Sequence, residues 1–180
     1  VNIYQDGPVV DIDFDTKKVE IYSFDTNRLH ELTYLTALSL VGKSLDLEGV
    51  HRIHALGVAF KENVFVCTMK MGTGKSTLLL DLLAKSKSLR LVSDDTPLIT
   101  EKGEVLPFPL RVGINSPQEH PQLNFDQIYS LSRKEYGIKY LHPVNNETFP
   151  IYAKNNTHQR IFLIDSSRSS TNKFKITKTS

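Results

Sequence analysis

The spacing of hydrophobic residues changes along the chain and predicts a different element in each region. Near the amino end apolar and polar side chains alternate, and turn residues such as Asp6-Gly7-Pro8 interrupt them. This alternation predicts two or three short antiparallel strands that form a β-meander. Over residues 26–43 the apolar positions recur at three-residue spacing, at Leu29, Leu32, Leu35, Leu38 and Val41. That spacing predicts an amphipathic helix with its leucines in the core and Thr26 or Asn27 as the N-cap.

Later patterns predict alternating strands and helices. Two apolar runs at residues 54–60 and 64–67 are separated by polar residues, which predicts a pair of strands joined by a turn. A leucine-rich segment at 76–85 predicts a second helix, and the apolar residues 89–92 predict another strand. The remaining patterns predict a hairpin at 100–105, an extended segment at 107–111, a loop at 116–124, a short helix at 125–131, and strands at 136–141, 160–164 and 174–176.

The composition is that of an ordinary globular protein. Hydrophobic residues make up 39% and charged residues 23% of the 180 residues, and the net charge is +2. We predict one α/β domain over residues 1–180, in which a meander and helix at 1–48 lead into a core at 50–165. No basic block or long apolar run stands out, so neither nucleic acid nor a membrane is a predicted partner. The single cysteine, Cys67, lies in a predicted strand, and no signal-peptide pattern opens the chain, which predicts a cytoplasmic protein with a buried thiol.

The stretch VFVCTMKMGTGKST at residues 64–77 carries the strongest chemical signal. An apolar run leads into a glycine-containing turn and then into Lys-Ser-Thr at the start of a helix, which is the order of a phosphate-binding loop. Gly72 and Gly74 can adopt backbone angles that are closed to other residues, so the amides here would form a concavity that suits phosphate oxygens. Lys75 adds charge near the outer phosphates of a nucleotide, and the Ser76 hydroxyl is a predicted Mg²⁺ ligand.

Met69 departs from the phosphate-loop pattern G-x-x-x-x-G-K-[ST], which has glycine at this position. The core of the motif, GTGKST, is intact. A glycine turn that does no more than start a helix is the alternative interpretation. The strand before the motif and the leucine-rich helix after it favour nucleotide binding.

Two adjacent carboxylates, Asp94 and Asp95, follow the predicted strand at 89–92. Phosphoryl transfer requires held phosphates, a fixed metal ion and a base near the attacking hydroxyl. One carboxylate is placed to hold Mg²⁺ and the other to accept a proton, although such a pair also suits a polar turn after a strand. His54, at the start of the strand that pairs with the loop strand, is a further candidate, although a lone histidine is more often exposed or structural.

These residues, in this order, resemble the catalytic domain of the HPr serine kinase/phosphorylase family, which belongs with the phosphoenolpyruvate carboxykinase-like phosphate-loop enzymes. The family pattern runs histidine, two strands, a glycine loop with Gly-Lys-Ser, a helix and two aspartates. The segments at residues 54–77 and 91–95 follow that pattern. The resemblance implies a mixed β-sheet with flanking helices, a reaction that uses ATP, and a requirement for Mg²⁺.

The resemblance also implies a role for each site residue. His54 and Asp95 correspond to the residues that transfer a proton at the seryl oxygen. Asp94 and Ser76 correspond to the metal ligands. The residues implied to bind ATP are Gly72, Thr73, Gly74, Lys75, Ser76 and Thr77.

The chain differs from true HPr kinases in two further ways. Too few residues precede His54 for their separate N-terminal domain, and the signature tied to phosphorolysis is not found. The segments IHA at 53–55, SDD at 93–95 and LPFPLR at 106–111 resemble instead the compact HPr kinase-related proteins encoded with peptide-maturation systems. Some of these phosphorylate the terminal serine of a lasso-peptide precursor. The resemblance makes Arg111 a candidate for binding phosphate or a substrate carboxylate, and a surface salt bridge is the alternative.

The sequence therefore predicts an ATP- and Mg²⁺-dependent kinase that phosphorylates a serine hydroxyl of a peptide or small protein. The C-terminal serine of a lasso-peptide precursor is one candidate acceptor. The alternatives are an HPr-type protein serine kinase, a non-catalytic ATP-binding regulator, and a kinase for a small-molecule hydroxyl. The sequence leaves open the identity of the acceptor, whether phosphorolysis also occurs, whether a homo-oligomer forms, and whether the chain continues beyond Ser180.

Overall fold

The protein has an α/β architecture in which short strands predominate. The computed structural model describes residues 2–3, 7–121, 123–133, 137–153 and 159–165. Within these residues the α-helices are α1 (Thr26–Leu47) and α2 (Lys75–Lys85), and single turns of 3-10 helix lie at Pro117–Glu119 and Phe125–Gln127. The described strands are β1 (Asn2–Ile3), β2 (Val9–Asp13), β3 (Lys18–Tyr22), β4 (Val50–Arg52), β5 (Leu56–Phe60), β6 (Asn63–Thr68), β7 (Leu89–Ser93), β8 (Leu98–Thr100), β9 (Val105–Leu106), β10 (Arg111–Ile114), β11 (Tyr129–Arg133), β12 (Gly137–Pro143) and β13 (Arg160–Asp165).

A mixed sheet with the strand order β13-β6-β5-β7 lies at the centre. β5 runs antiparallel to β6 and β7, and β13 runs parallel to β6. It follows that β6, β7 and β13 all end at one edge of the sheet, where β5 begins. The loop before α2, the residues after β7 and the residues before β5 therefore meet at this edge, here called the carboxyl edge.

The two faces of the central sheet are buried in separate clusters. Leu91 and Val92 are neighbours on β7, and they point to opposite faces because side chains alternate along a strand. Leu79 and Leu80 of α2 cover the face that includes Leu91, and they are almost completely buried. Burying one leucine stabilises a fold by about 2 kcal/mol, so the apolar stripe of α2 fixes the helix that follows the glycine loop.

Three smaller antiparallel sheets surround the centre, with the orders β1-β2-β3, β4-β8-β9 and β10-β12-β11. α1 packs against β3, β4 and β11, which belong to three different sheets. Its N-cap is Asp25, whose Oδ1 accepts hydrogen bonds from the amides of Asn27 at 2.8 Å and Arg28 at 3.3 Å. The prediction of Thr26 or Asn27 as the cap is wrong, because the helix begins at Thr26 and the carboxylate of the preceding Asp25 already satisfies these free amides.

The prediction that the leucines of α1 are core residues is also wrong in part. Leu32 is buried, but the side chains of Leu35 and Val41 are 50% and 46% exposed. α1 packs against edge strands of three small sheets, not against one continuous apolar surface. Only a narrow stripe of the helix surface is therefore buried. The three-residue spacing identified the helix correctly, although the helix extends beyond the predicted residues 26–43 to Leu47.

The predicted helix at 125–131 is wrong. A single 3-10 turn at Phe125–Gln127 leads into β11, in which five residues pair with β12. The other described strand and helix predictions are confirmed, with bounds that differ by a few residues, and Cys67 is buried as predicted. Burial raises the pKa of the Cys67 thiol, which fits a structural residue. The predicted strand at 174–176 lies outside the described residues.

Candidate functional site

The glycine loop, residues 69–74, connects the end of β6 to the start of α2. Gly72 and Gly74 have φ angles of 77° and 98°, in the left-handed region that favours glycine, and Gly74 is the N-cap of α2. Apart from the glycine itself and its chain neighbours, no described residue has a heavy atom within 4 Å of a Cβ built on either glycine. The loop is therefore open on the side of both glycines, beside the free amides of a helix N-terminus, and this combination suits an anion.

Met69 takes part in this loop through its backbone. Its carbonyl accepts a hydrogen bond from Lys75 Nζ at 3.1 Å. Among the described residues, the non-glycine positions with positive φ are Lys17 and Lys61, so Met69 has an ordinary backbone conformation. Glycine is not required at this position of the loop, which explains how methionine is accommodated there.

Lys75 joins the glycine loop to the residues predicted to transfer a proton. Its Nζ lies 3.0 Å from His54 Nε2 and 3.6 Å from Asp95 Oδ1, and its side chain is only 8% exposed. His54 Nδ1 lies 3.2 Å from Asp95 Oδ1. An ammonium group can only donate, so Nε2 accepts from Lys75, and the proton of the neutral ring lies on Nδ1, the nitrogen that faces Asp95.

Two backbone hydrogen bonds hold His54 beside Asp95. His54 lies between β4 and β5, where the Ala55 amide donates to the Asp95 carbonyl at 3.0 Å and the Ile53 amide donates to the Pro97 carbonyl at 3.1 Å. The histidine is therefore placed by pairing between two loops at the carboxyl edge. Both side chains of the pair are 54% exposed, so an external group can reach them.

Asp94 points into the protein, unlike its neighbour. Its Oδ2 accepts hydrogen bonds from the Ser76 hydroxyl at 2.9 Å and from the Gly113 amide at 3.2 Å. Its Oδ1 is buried and has no hydrogen-bond partner in the part of the chain that the structure describes. Burial raises the pKa of the Asp94 carboxyl from its ordinary value of 3.8 to about 6, although the hydrogen bonds from Gly113 and Ser76 act in the opposite direction.

Asp94 and Ser76 fit the ligands that Mg²⁺ prefers. A hydroxyl and a carboxylate oxygen lie together beside the glycine loop, and the buried Oδ1 of Asp94 has coordination capacity that no hydrogen bond uses. Among the described residues, no group of three or more His, Cys, Asp or Glu side chains surrounds a common metal position. The pair would therefore hold Mg²⁺ together with oxygen atoms from phosphate and water.

Arg111 lies on a different sheet, β10-β12-β11. It begins β10, two residues before Gly113, and its guanidinium carbon lies 3.4 Å above the centre of the Tyr34 ring. Its Nη1 is buried without a hydrogen-bond partner. Burial raises the pKa of the Tyr34 phenol, an effect that the charge of Arg111 opposes and the charge of Asp95 increases. The structure thus brings Arg111 near Asp95 but pairs it with an aromatic ring, not with a surface carboxylate.

The structure therefore brings His54, Lys75, Asp95, Ser76 and Asp94 into one connected group. Thr73 donates its hydroxyl to the Lys70 carbonyl at 2.6 Å and stabilises the loop itself. Thr77 is exposed on the first turn of α2, and the hydrogen bonds found in the described part of the chain do not connect it to the other predicted residues.

The sequence interpretation missed three residues that shape the site. Tyr34 supports Arg111, Gly113 supplies an amide to Asp94, and Ser93 fixes the turn that carries both aspartates. The Ser93 hydroxyl donates to the Phe108 carbonyl at 3.0 Å and accepts from the Thr96 amide at 2.9 Å. A serine three residues before another turn residue is a local sequence signal for the role of Ser93. No local pattern marks Tyr34 or Gly113.

Comparisons with models of known protein families and with curated protein sequences found no match. The resemblance to the HPr kinase family therefore remains a prediction. No helix among the described residues has both the length and the apolar character needed to span a membrane.

Proposed function

We propose that this chain is an ATP- and Mg²⁺-dependent kinase that phosphorylates a serine hydroxyl of a peptide or small protein. The observation that carries the proposal is the contact of His54 with both Asp95 and Lys75 at the carboxyl edge. It joins a residue pair able to accept a proton to the lysine of a glycine loop. The fold proposed with it is a phosphate-loop domain of the HPr kinase type, and the mixed central sheet with flanking helices supports this proposal.

The nucleotide half of the proposal rests on the glycine loop. The open side of Gly72 and Gly74 and the N-terminus of α2 would bind the phosphates of ATP, with Thr73, Lys75, Ser76 and Thr77 alongside. Mg²⁺ bound there supplies charge neutralisation at the phosphates. The chain's own contribution is the Ser76 hydroxyl and the Asp94 carboxylate, which are already in hydrogen-bond contact.

The proton-transfer half rests on His54 and Asp95. In the proposed reaction the serine oxygen forms a bond to the γ-phosphorus while the bond from that phosphorus to the β–γ bridging oxygen breaks, which gives phosphoserine and ADP. The hydroxyl proton passes to Nε2 of His54. Asp95 Oδ1, 3.2 Å from Nδ1, favours the tautomer that accepts at Nε2 and stabilises the imidazolium that forms.

Nε2 becomes available when Lys75 turns toward phosphate. In the structure Nζ donates to Nε2 and to the Met69 carbonyl, so the same ammonium group contacts both the base and the glycine loop. A triphosphate on the loop attracts that charge more strongly than a neutral imidazole does. Its arrival therefore favours an exposed Nε2 and a vacant position for the acceptor hydroxyl.

A phosphotransfer assay tests this proposal. The protein is incubated with ATP, Mg²⁺ and a set of serine peptides that includes lasso-peptide precursors and the protein HPr, and mass spectrometry detects the addition of one phosphoryl group. We expect transfer by the wild type and its loss in Asp95→Asn. The matched control is Asp81→Asn, since Asp81 is exposed on α2. ATP binding without transfer to any hydroxyl acceptor, free serine and sugars included, would contradict kinase function and leave an ATP-binding regulator.

A further inference from the structure

A polar cleft opens directly beside His54. Its volume is about 410 Å³, and it is lined by Asp46 at the end of α1, His51 and Arg52 of β4, His54 and Thr96. This volume lies within the range of protein ligand sites. We propose that this cleft binds the acceptor segment of the substrate and that Arg52 recognises an acidic group next to the acceptor hydroxyl. The inference rests on the proposed function and extends it to the choice of substrate.

The position of the cleft follows from the strand that precedes the catalytic loop. β4 ends at Arg52, two residues before His54, and the Ile53 amide between them is tied to the Pro97 carbonyl. A group bound at Arg52 is therefore held at a fixed place relative to the imidazole. The glycine loop contacts His54 through Lys75, so the nucleotide would enter from that side and leave the cleft for the acceptor.

α1 provides space for the Arg52 side chain. Arg52 Nη1 donates to the Leu38 carbonyl at 2.9 Å, and the guanidinium group packs against Gly42, where any Cβ would collide with it. Glycine inside a helix costs about 1 kcal/mol relative to alanine. Here it allows a guanidinium group to lie flat against the helix at the edge of the cleft, and this arrangement limits its mobility.

The charges of the cleft favour an acidic ligand. The wall has three other ionisable groups, and each lies beside a partner: His51 Nδ1 is 3.2 Å from Asp46 Oδ1, and His54 Nδ1 is 3.2 Å from Asp95 Oδ1. Among the described residues Arg52 has no carboxylate within salt-bridge distance, and its one hydrogen bond uses a backbone carbonyl. Its remaining N–H groups can bind a carboxylate in the two-pronged geometry that arginine provides.

The test compares two peptides that differ only beside the serine, one with aspartate and one with asparagine. Binding is measured by fluorescence anisotropy in the presence of Mg²⁺ and a non-hydrolysable ATP analogue, and kcat and KM are measured with ATP. We expect the wild type to prefer the acidic peptide about tenfold, mainly through KM. Arg52→Glu should reverse this preference, Arg52→Lys should retain part of it, and Gly42→Ala should weaken it by displacing the guanidinium.

The matched control is Arg90→Glu. Arg90 lies on β7 and also donates to backbone carbonyls, those of Lys87 and Leu89, but it is not part of the cleft. Its peptide preference should equal that of the wild type, and nucleotide binding by every variant confirms the fold. An Arg52→Glu protein that binds nucleotide and keeps the wild-type preference would overturn the inference and leave Arg52 as an anchor for α1.

The two proposals can fail separately. Acidic peptide binding that depends on Arg52, without phosphate transfer, would support the cleft and contradict the kinase. Phosphate transfer with equal preference for both peptides would support the kinase and contradict the cleft.

Discussion

The two halves of the site are built in different ways. The phosphate half lies in one continuous stretch, from Met69 to Ser76, and its shape follows from glycine angles and the start of α2. The proton-transfer half joins His54 to Asp95, which is far along the chain, through hydrogen bonds between two loops. The first half therefore depends on local backbone conformation, and the second depends on the register of β5 between β6 and β7.

The largest effect is expected from separating the two halves by mutation. Lys75→Met removes the ammonium group, so we expect ATP affinity and turnover both to fall. His54→Gln should leave ATP affinity near that of the wild type and lower kcat by about 10²- to 10⁴-fold, the usual contribution of a positioned base. Equilibrium binding of ATP and single-turnover kinetics distinguish the two outcomes. An equal loss of ATP affinity in both variants would show that the site does not divide as described.

The second effect concerns Asp94, which contacts both halves because it accepts a hydrogen bond from Ser76 and precedes Asp95 in the chain. Its pKa is higher in the folded protein, near 6, than the ordinary value of 3.8, so the folded state binds more protons between these pH values. Stability therefore falls as pH rises through this window, by up to about 3 kcal/mol. Without Mg²⁺, Asp94→Asn should be more stable than the wild type at pH 7 and similar near pH 4, as measured by denaturant unfolding.

Mg²⁺ provides the control for that experiment. With nucleotide present, Mg²⁺ should stabilise the wild type at pH 7 and have a much smaller effect on Asp94→Asn, because binding to the folded state alone raises stability. A wild type whose stability is constant between pH 4 and pH 7 would show that burial does not affect this carboxyl as described.

The smallest effect is expected at Met69. Because its φ is ordinary and its carbonyl is the group that contacts Lys75, Met69→Gly keeps the hydrogen bond. It removes a partly buried side chain that packs against the core and adds freedom to the unfolded chain, so we expect a loss of about 2 kcal/mol in unfolding free energy and an unchanged Kd for ATP. A large gain in ATP affinity, measured by calorimetry, would mean that methionine in place of glycine at position 69 weakens nucleotide binding by the loop.

The sequence predicted the conformation of the proposed phosphate half well because the signals for it are local. Gly72 and Gly74 adopt the positive φ angles that their spacing suggested, and a leucine stripe identified α2. The pairing of His54 with Asp95 was expected from a family resemblance, and its geometry agrees with that expectation. Whether these residues act as the resemblance implies remains a prediction.

Contacts between distant segments could not be predicted in this way. The ring of Tyr34 beneath Arg111 and the guanidinium of Arg52 against Gly42 depend on where α1 packs, and the helix pattern does not specify that. Because the sequence does not specify where α1 packs, the helical period also placed Leu35 in the core, whereas its side chain is exposed. The prediction of a helix at 125–131 failed for another reason. A short apolar segment can form either a helix or a strand, and only its pairing with β12 decides between them.

The hydrogen bond from the Gly113 amide to Asp94 links the candidate metal ligand to a separate sheet, β10-β12-β11. Arg111 stands on that same strand, two positions earlier. A shift of β10 by one residue would exchange the faces of all its side chains, which would remove the guanidinium and the amide from the site together. The pairing of this peripheral sheet therefore helps to set the position of Asp94, and damage to it should distort the candidate site before the central strands separate.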